Sequence, residues 1–435
     1  MYSSDNIQFV FKQSSGKVWS FYHDERLGLC YSTLTKRSTW SEPRVIQKSL
    51  HRTFFIDMDY EDCFHIIFQD KQGNIFCYMI DNSNINTIPV LNSKSPSVYD
   101  KHLYLIPGKK SVHIFFIIEY NNHNILSHQT LAAGSVSNPK VLDYVVKNPH
   151  PYSVVCDKSG NMYIVYHVSD GKYTQLGSKK YIASQKSWGE FTPITRYTGN
   201  CELPRTVIDS TDIIHICYQR QNDKLFELVY QQKMPDRNIW TSEVVINTSQ
   251  YAFKDFSVVI VNKKALVYWV RDNSIYYSST GDNDSSFGRP LRYNFFNGRH
   301  LANIIYKSND PIENEKISVK NIPGNFINGY NLAFLYDSSS NNSITADELR
   351  SMLLDGFKTL KGSVEDIQES NISLDNKFSE LAQAQQNLNK ELTKYSLRLS
   401  LLENELSQLK GISQRLDSVK AVMDDFEQKY KIKDE

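Results

Sequence analysis

The stretch RTVIDSTDIIHICYQRQNDKLFELVYQQKMPDRNIWTSEVVI, residues 205–246, decides how this chain folds. Short runs of alternating apolar and polar residues are separated in it by polar turns such as QND. Alternation with a period of two between turns rich in Asn, Asp and Gly is typical of antiparallel strands, so the stretch predicts four short β-strands. A similar pattern occurs at residues 52–81, RTFFIDMDYEDCFHIIFQDKQGNIFCYMID.

The same pattern recurs at near-constant spacing along the first 340 residues. Seven units begin 46 to 53 residues apart, at Asn6, Arg52, His102, Tyr152, Arg205, Lys254 and His300. Repeats of this length with four antiparallel strands predict a β-propeller, in which each small sheet is stabilised by packing on its neighbours. We therefore expect an all-β, seven-bladed propeller. Six blades are the alternative, because EKISVKNIPGNFINGYNLAFLYD in the seventh unit has no clear fourth strand.

An aromatic residue marks the turn before the fourth strand in four of the units. These residues are Trp40, Trp188, Trp240 and Phe287. Rings at equivalent positions of successive units are expected to pack one blade against the next, and stacking on sugars is the alternative.

Two propeller families share these features. The turn Ser38-Thr39-Trp40 resembles the end of the Asp-box of sialidase-like propellers, and the hairpin at residues 213–228, IIHICYQRQNDKLFEL, resembles the repeats of fucose-binding propeller lectins. Those lectins hold each sugar with an Arg of the second strand, a Glu of the third strand and an aromatic ring. Glu227 matches the third-strand position, whereas the second strands carry apolar residues where the Arg would stand. The resemblance covers about residues 6–340 and implies an architecture rather than one activity.

Composition argues against several classes of partner. The 49 basic and 48 acidic residues give a net charge of +1, so no overall field draws the chain to nucleic acid or to an anionic membrane. The sequence has no run of 18 apolar residues that predicts membrane insertion, and MYSSDNIQFVFKQ lacks the pattern of a signal peptide. We expect cytoplasmic synthesis, and action at a spore, particle or cell surface by a non-classical route is compatible with this.

The sequence predicts neither a cofactor nor a metal site. Its six cysteines are scattered without close pairing, which predicts reduced thiols inside apolar strands. It contains no Gly-rich phosphate loop before a helix and no Cys/His cluster with zinc spacing.

After residue 340 the composition changes to Leu, Glu, Gln, Lys and Ser. We expect three segments: a propeller head at 1–340, a polar linker at 337–344, and a coiled-coil oligomerisation stalk at 345–435. The helix is expected to begin at Thr345, whose hydroxyl forms a capping box with Glu348. Apolar residues then recur every 3.5 positions, the spacing that buries a seam against another helix.

This seam predicts a long, parallel coiled coil that joins copies of the chain as a dimer or trimer. Arg398 and Glu403, and likewise Glu405 and Lys410, stand at the facing positions of parallel, in-register helices. The heptad phase changes near Gly411, which indicates a local overwinding, a bend or a fold-back. The predicted seam consists of Leu353, Leu360, Ile367, Asn371, Leu374, Leu381, Gln385, Leu388, Leu392, Leu399, Leu402, Leu406 and Leu409.

The starts of the units form the candidate ligand-binding site. The first strand of each propeller blade lines the central channel, so these residues are expected to form a ring around one channel mouth. Convergent donors of this kind suit a carboxylate, phosphate or sulfate, and the alternative is that solvated strand ends merely tolerate polar residues. The ring consists of Arg52, His102, Tyr152, Arg205, Lys254 and His300, with His51, Lys101 and Arg299 beside them.

We interpret the chain as a non-enzymatic, multivalent recognition or scaffolding protein. Its head would bind a glycan or a protein surface, and its coiled coil would multiply weak contacts into avidity. One alternative is a sialidase-like glycoside hydrolase, with Arg52 and Arg205 in an arginine triad and Tyr152 or Tyr251 as nucleophile. A second alternative is an intracellular structural or adaptor protein that acts through its coiled coil.

Overall fold

The structure is a computed structural model, in which the chain forms two compact parts, the head at 1–338 and the C-terminal part at 339–435. The head is mostly β and consists of several sheets, and the C-terminal part is a helix, so this division of secondary structure is confirmed. The expected linker at 337–344 and Thr345 lie outside the described residues. The described residues are 7–36, 38–51, 53–81, 84–94, 99–235, 237, 239–281, 286–294, 301–326, 329–335 and 346–431.

The first three sequence units each form a sheet of antiparallel neighbours. The first contains β1 (Gln8–Lys12), β2 (Val18–Asp24), β3 (Gly28–Thr33) and β4 (Arg44–Gln47). The second contains β5 (Phe54–Met58), β6 (Phe64–Gln69), β7 (Ile75–Asp81) and β8 (Asn84–Leu91). The third contains β9 (Tyr104–Pro107), β10 (Val112–Tyr120), β11 (His123–Ala132), β12 (Ser135–Val136) and β13 (Lys140–Val145).

The next three units repeat this arrangement. The fourth sheet contains β14 (Tyr152–Cys156), β15 (Met162–Ser169), β16 (Thr174–Ile182), β17 (Ser187–Trp188) and β18 (Thr192–Pro193). The fifth contains β19 (Cys201–Ile208), β20 (Ile214–Asn222), β21 (Leu225–Lys233) and β22 (Val244–Ser249). The sixth contains β23 (Phe256–Val261), β24 (Lys264–Arg271), β25 (Ser274–Ser279) and β26 (Leu291–Tyr293).

Tight turns fix the register of several hairpins. Asp272 and Asn273 both have positive φ angles, 50° and 55°, in the two-residue turn between β24 and β25. A turn of this kind matches the right-handed twist of the strands, and Asn and Asp adopt its left-handed backbone at low cost. Asn121 and Asn122 make the same turn between β10 and β11. The Asn/Asp signals in the sequence therefore lie where the chain reverses.

The seventh unit does not form a sheet of its own. It contains β27 (Ala302–Ser308), α1 (Pro311–Lys316), β28 (Ile317–Ser318), β29 (Asn321–Asn325) and β30 (Asn331–Leu332). β27 pairs with β1 in parallel, with Gln8 opposite Ile304, while β28 pairs with β23 of the sixth sheet. The described residues thus place seven sequence units in six sheets, because the last unit extends the first sheet and also reaches the sixth.

The aromatic turns pack one unit against the preceding one. Trp40 donates through Nε1 to the carbonyl oxygen of Gly329 at 3.0 Å, which joins the first unit to the seventh. Trp188 donates to His128 Nδ1 of the third sheet at 3.2 Å. The ring of Phe287 lies 4.8 Å from that of Tyr230 in the fifth sheet. In these turns the rings pack between sheets, as the packing interpretation requires.

The C-terminal part of the chain is the helix α2 (Ala346–Lys431), 86 residues long. At 1.5 Å per residue it measures about 130 Å, and it continues without interruption through Gly411. No helix among the described residues combines the length and apolarity that a membrane span needs.

The predicted seam is solvent-exposed along the described side chains of this single chain. Leu353, Leu360 and Ile367 lie on the helix, but their side chains are outside the described residues. Asn371 and Gln385 are exposed. Eight leucines of the seam are between 51% and 65% exposed: Leu374, Leu381, Leu388, Leu392, Leu399, Leu402, Leu406 and Leu409.

We expect the junction of the first and seventh units to depend on Lys12. Its Nζ lies 2.8 Å from Asp310 Oδ2 and 2.7 Å from Glu313 Oε2. Burial opposes the charge, but hydrogen bonds with the two carboxylates outweigh it and raise the pKa of Lys12. Lys12→Met should lower the free energy of unfolding by about 1 to 3 kcal/mol, because two carboxylates lose their counter-charge.

Urea unfolding followed by tryptophan fluorescence measures this loss in the head, since all five tryptophans lie there. Lys71→Met is the matched control, because Lys71 is exposed. Equal stability of the two variants would show that the Lys12 cluster contributes nothing to the junction.

Candidate ligand-binding site

The first strands of the units surround a cavity of about 940 Å³. Sheets whose first strands share one central space have the arrangement of a β-propeller. The cavity lies toward the N-terminal ends of these strands, where the sequence predicted a binding site. All seven units contribute to its lining, through Phe9, Phe55, Tyr104, Ser153, Thr206, Asp255 and Asn303.

The structure brings together three of the six predicted ring residues. His102, Tyr152 and Arg205 all line the cavity. Lys254 is exposed and is not part of the lining, to which its neighbour Asp255 contributes instead. The other two, Arg52 and His300, lie outside the described residues.

The three residues predicted beside the ring, His51, Lys101 and Arg299, do not all reach the cavity either. His51 lines the cavity. Lys101 is buried, and its Nζ donates to the hydroxyl of Tyr99 at 3.0 Å. Arg299 lies outside the described residues. A ligand-binding ring therefore stays a prediction, and its described members near the cavity are histidines, a tyrosine and one arginine.

Two of these side chains are uncharged hydrogen-bonding groups at neutral pH. Burial lowers the pKa of His102, and burial raises the pKa of Tyr152 well above its usual value. The hydroxyl of Tyr152 donates to the carbonyl oxygen of His102. Burial also lowers the pKa of the neighbouring His150 to about 3, with Arg205 acting in the same direction. The entrance side of the cavity therefore offers neutral donors and acceptors.

A lysine that the sequence analysis missed lies at the bottom of the cavity. Lys320, just before β29, has its Nζ 3.3 Å from Ser153 Oγ, 3.3 Å from the carbonyl oxygen of Val154 and 4.2 Å from the centre of the Tyr104 ring. Its unit has the weakest strand pattern, so no spacing signal marked it. It reaches the central space because β29 pairs with β27.

Lys320 stands between two cavities. A second cavity of about 400 Å³ lies at the C-terminal ends of the same first strands, and Tyr104 and Lys320 line both. In the smaller cavity Lys307 of β27 binds Asp57 of β5, with Nζ 2.7 Å from Oδ1. Tyr104 and Lys320 therefore lie between the two cavities, and we call the central space that the cavities form the lumen.

The lumen carries both signs of charge, but in different places. Lys320 lies at the bottom of the larger cavity, and Arg205, Asp24 and Asp255 are half-buried in its lining. Glu25 and Asp100, which also line it, are exposed. A cation at the bottom and exposed carboxylates near solvent suit a ligand that carries an anionic group at one end. The described residues contain no group of three or more His, Cys, Asp or Glu side chains that could hold a metal ion.

One expectation about the lectin-like hairpin is wrong. The second strand of the fifth sheet does carry an Arg: Arg220 on β20 lies opposite Glu227 on β21 and forms an ion pair with it. The guanidinium also binds Glu243 and stacks on the ring of Tyr197, 4.3 Å from its centre. The apolar pattern of the strand ends at Tyr218, two residues before Arg220, which hid Arg220 from the sequence analysis.

This cluster is closed rather than open to a ligand. The side chains of Arg220 and Glu227 are only 11% and 12% exposed, and Asn222 donates to the remaining oxygen of Glu227 at 2.9 Å. Hydrogen bonds from Asn222 and Arg220 outweigh the effect of burial and lower the pKa of Glu227. The arrangement joins β20 and β21 to Glu243, the residue before β22, which is a structural role.

No protein-family model and no curated protein sequence matches this chain. Solved structures with some likeness include a polysaccharide lyase, a PL25 ulvan lyase, at 13% identity and a TM-score of 0.48, covering 73% of this chain and 89% of that one. The BP39L lectin from Burkholderia pseudomallei is 10% identical, with a TM-score of 0.44, and covers 63% and 80%. The Aleuria aurantia lectin is 10% identical, with a TM-score of 0.39, and covers 66% and 96%. At these values the likeness bears on no ligand or activity of this chain.

Arg220→Met should destabilise the head without affecting ligand binding in the lumen. Removing the arginine leaves two carboxylates without their counter-charge, which should lower the free energy of unfolding by about 2 to 3 kcal/mol. Arg271→Met is the control, because Arg271 is 63% exposed and its contact with Asp272 is a surface ion pair. If denaturant unfolding shows the two variants to be equally stable, the cluster around Arg220 is not the structural support described above.

Proposed function

We propose that this chain is a non-enzymatic, multivalent recognition protein whose head binds a glycan in the larger cavity and whose helix joins several heads. The observation that carries the proposal is the lining of that cavity. Its volume of about 940 Å³ falls in the range of small-molecule sites, which combine apolar walls with a few polar groups. Aromatic side chains and neutral hydrogen-bonding groups both line it.

These groups suit a sugar. Phe54, Tyr104 and Tyr152 supply aromatic surface, and tyrosines combine an apolar ring with a polar tip. His102, His150 and Asn303 add uncharged donors and acceptors for hydroxyl groups. A sugar presents both kinds of surface, apolar C–H faces and hydroxyl edges.

The same side chains favour binding over hydrolysis. Tyr152 keeps its proton, because burial raises its pKa and its hydroxyl donates to His102. Tyr251, the other candidate nucleophile, is 73% exposed and does not line the cavity. Neither tyrosine is therefore placed as the nucleophile of a sialidase-like enzyme.

We infer that the head is a propeller of seven repeat units in six sheets, in which the seventh unit completes the ring instead of forming a separate blade. The parallel pairing of β1 with β27 and the pairing of β28 with β23 support this view.

A glycan array with the full-length protein tests the proposal. Asn303→Trp should fill part of the cavity and lower the affinity for any glycan that binds at least tenfold, whereas Asn247→Trp on β22 should leave it unchanged. Incubation with the same glycans and with fluorogenic glycosides should release no product. Unaltered binding by Asn303→Trp would remove the cavity as the site, and turnover that this substitution abolishes would favour an enzyme.

Oligomerisation through α2 is the second part of the proposal. The leucine seam is exposed from Leu374 to Leu409, about ten turns of helix. A seam with 3.5-residue spacing is buried by association of parallel helices. Leu399→Glu with Leu402→Glu places charges in the seam. The double variant should sediment as a monomer, while the unaltered chain sediments as a dimer or trimer.

Leu397 and Leu401 give a matched control. They are exposed to a similar degree, 61% and 62%, but stand outside the seam. Leu397→Glu with Leu401→Glu should keep the oligomer, because the same change in charge and helix propensity leaves the seam intact. An unaltered chain that is monomeric at micromolar concentration in analytical ultracentrifugation would refute the stalk.

A further inference from the structure

We propose that Lys320 and Arg205 form a binding site for one oxyanion group, so that the head selects acidic sugars by their carboxylate or sulfate. This lumen anion site consists of Lys320, Arg205, Ser153 and Thr206. It rests on the proposed function, because it assigns a charged end to the glycan in the same cavity.

The first support is the set of groups around Lys320. Its Nζ contacts a hydroxyl, a carbonyl oxygen and an aromatic ring, all of them neutral. The hydroxyl belongs to Ser153, whose Oγ lies 2.7 Å from Thr206 Oγ1. An anion placed beside this ammonium would meet a cation and two hydroxyl groups within one small region. Charge-assisted hydrogen bonds of this kind are about twice as strong as neutral ones.

The second support is the way in which the fold presents Arg205. β19 contains a bulge, in which Leu203 and Pro204 lie opposite the single residue Tyr218 on β20. Leu203 has a φ of 57°, in the left-handed region that a leucine rarely adopts. Bulges of this kind redirect a side chain, and here Arg205 follows immediately and lines the cavity.

A buried histidine holds this bulge in place. The backbone N–H of Leu203 donates to His167 Nε2 at 3.0 Å, and His167 Nδ1 donates to the carbonyl oxygen of Pro151 at 3.1 Å. Burial lowers the pKa of His167 to about 4, so the ring is neutral at pH 7 and can accept at one nitrogen. Strained backbone that other groups stabilise is a recurrent feature of functional sites.

The charges that act on Lys320 come from two of the first strands. Arg205 acts on it from β19, and Asp57 acts on it from β5 with the opposite sign. Asp57 is already bound to Lys307 in the smaller cavity. Tyr104, which packs on the ammonium from β9, keeps its proton because burial raises its pKa. Beside Lys320 an incoming oxyanion would therefore meet the ammonium and the arginine that acts on it.

The site should depend on pH near neutrality. Burial lowers the pKa of Lys320 to about 7, Arg205 adds to this effect and Asp57 opposes it. Lys320 is therefore charged below pH 7 and loses its proton above it. Affinity for an oxyanion should fall as the pH rises from 6 to 9, whereas affinity for a neutral sugar should not. In Lys320→Arg the charge persists, so this dependence should largely disappear.

Calorimetric titration of the full-length protein tests the site with three probes: glucuronate, methyl glucoside and inorganic sulfate. At pH 6 we expect glucuronate to bind at least tenfold more tightly than methyl glucoside. Lys320→Met and Arg205→Met should each abolish this preference. The control is Lys233→Met, because Lys233 also lies near a tyrosine ring and has a pKa lowered by burial, but it stands on β21 outside the cavity.

The outcomes separate this inference from the proposed function. Equal binding of glucuronate and methyl glucoside, unchanged in Lys320→Met, would refute the lumen anion site and leave glycan binding in the cavity intact. Binding of sulfate that requires Lys320, with no binding of either sugar, would support the anion site and refute the glycan proposal. Loss of the preference in Lys233→Met as well would show that it does not arise in the lumen.

Discussion

The parallel pairing of β1 with β27 is the contact on which the head depends. Five consecutive residue pairs join the start of the first unit to the start of the last. Backbone N–H and C=O groups that are removed from water need partners, so two first strands that pair with each other satisfy an edge that would otherwise remain open. Side chains also connect the last unit to the second one: Asn309, after β27, donates to the carbonyl oxygen of Asp59 and to Oδ1 of Asp62, both at 2.7 Å. These contacts hold the first strand of the last unit beside the lumen.

The lumen in turn explains why uncommon side chains occur in the centre of the head. Each first strand turns a few residues toward the central space, and burial there changes their chemistry. His102 and His150 are neutral, Tyr152 keeps its proton, and burial lowers the pKa of Lys320. A groove open to solvent would leave these groups close to their ordinary behaviour. The selectivity for a charged ligand that we propose would therefore arise from the enclosure as much as from the residues.

Much of this architecture could be predicted from the sequence, and the reasons for the failures are physical. The alternating pattern and the Asn/Asp turns are local signals, so the first strands begin within a few residues of the predicted unit starts. His102, Tyr152 and Arg205 were brought to one cavity by that periodicity alone. Lys320 escaped because its position depends on pairing between strands of an irregular unit. Arg220 escaped because a charged residue at the end of an apolar run looks like the beginning of a turn. The helix and the leucine spacing along it could be predicted from local pattern, and the partner helix stays a prediction.

The pairing between the two ends of the head also affects how the chain folds during synthesis. Gln8 and Ile304 are paired although about 300 residues separate them, so this contact can form only after nearly the whole head has left the ribosome. Until then the first sheet carries an unpaired inner edge, and contacts between distant residues form slowly. The nascent head is thus exposed to strand exchange with other chains for longer than a protein whose sheets are completed one at a time.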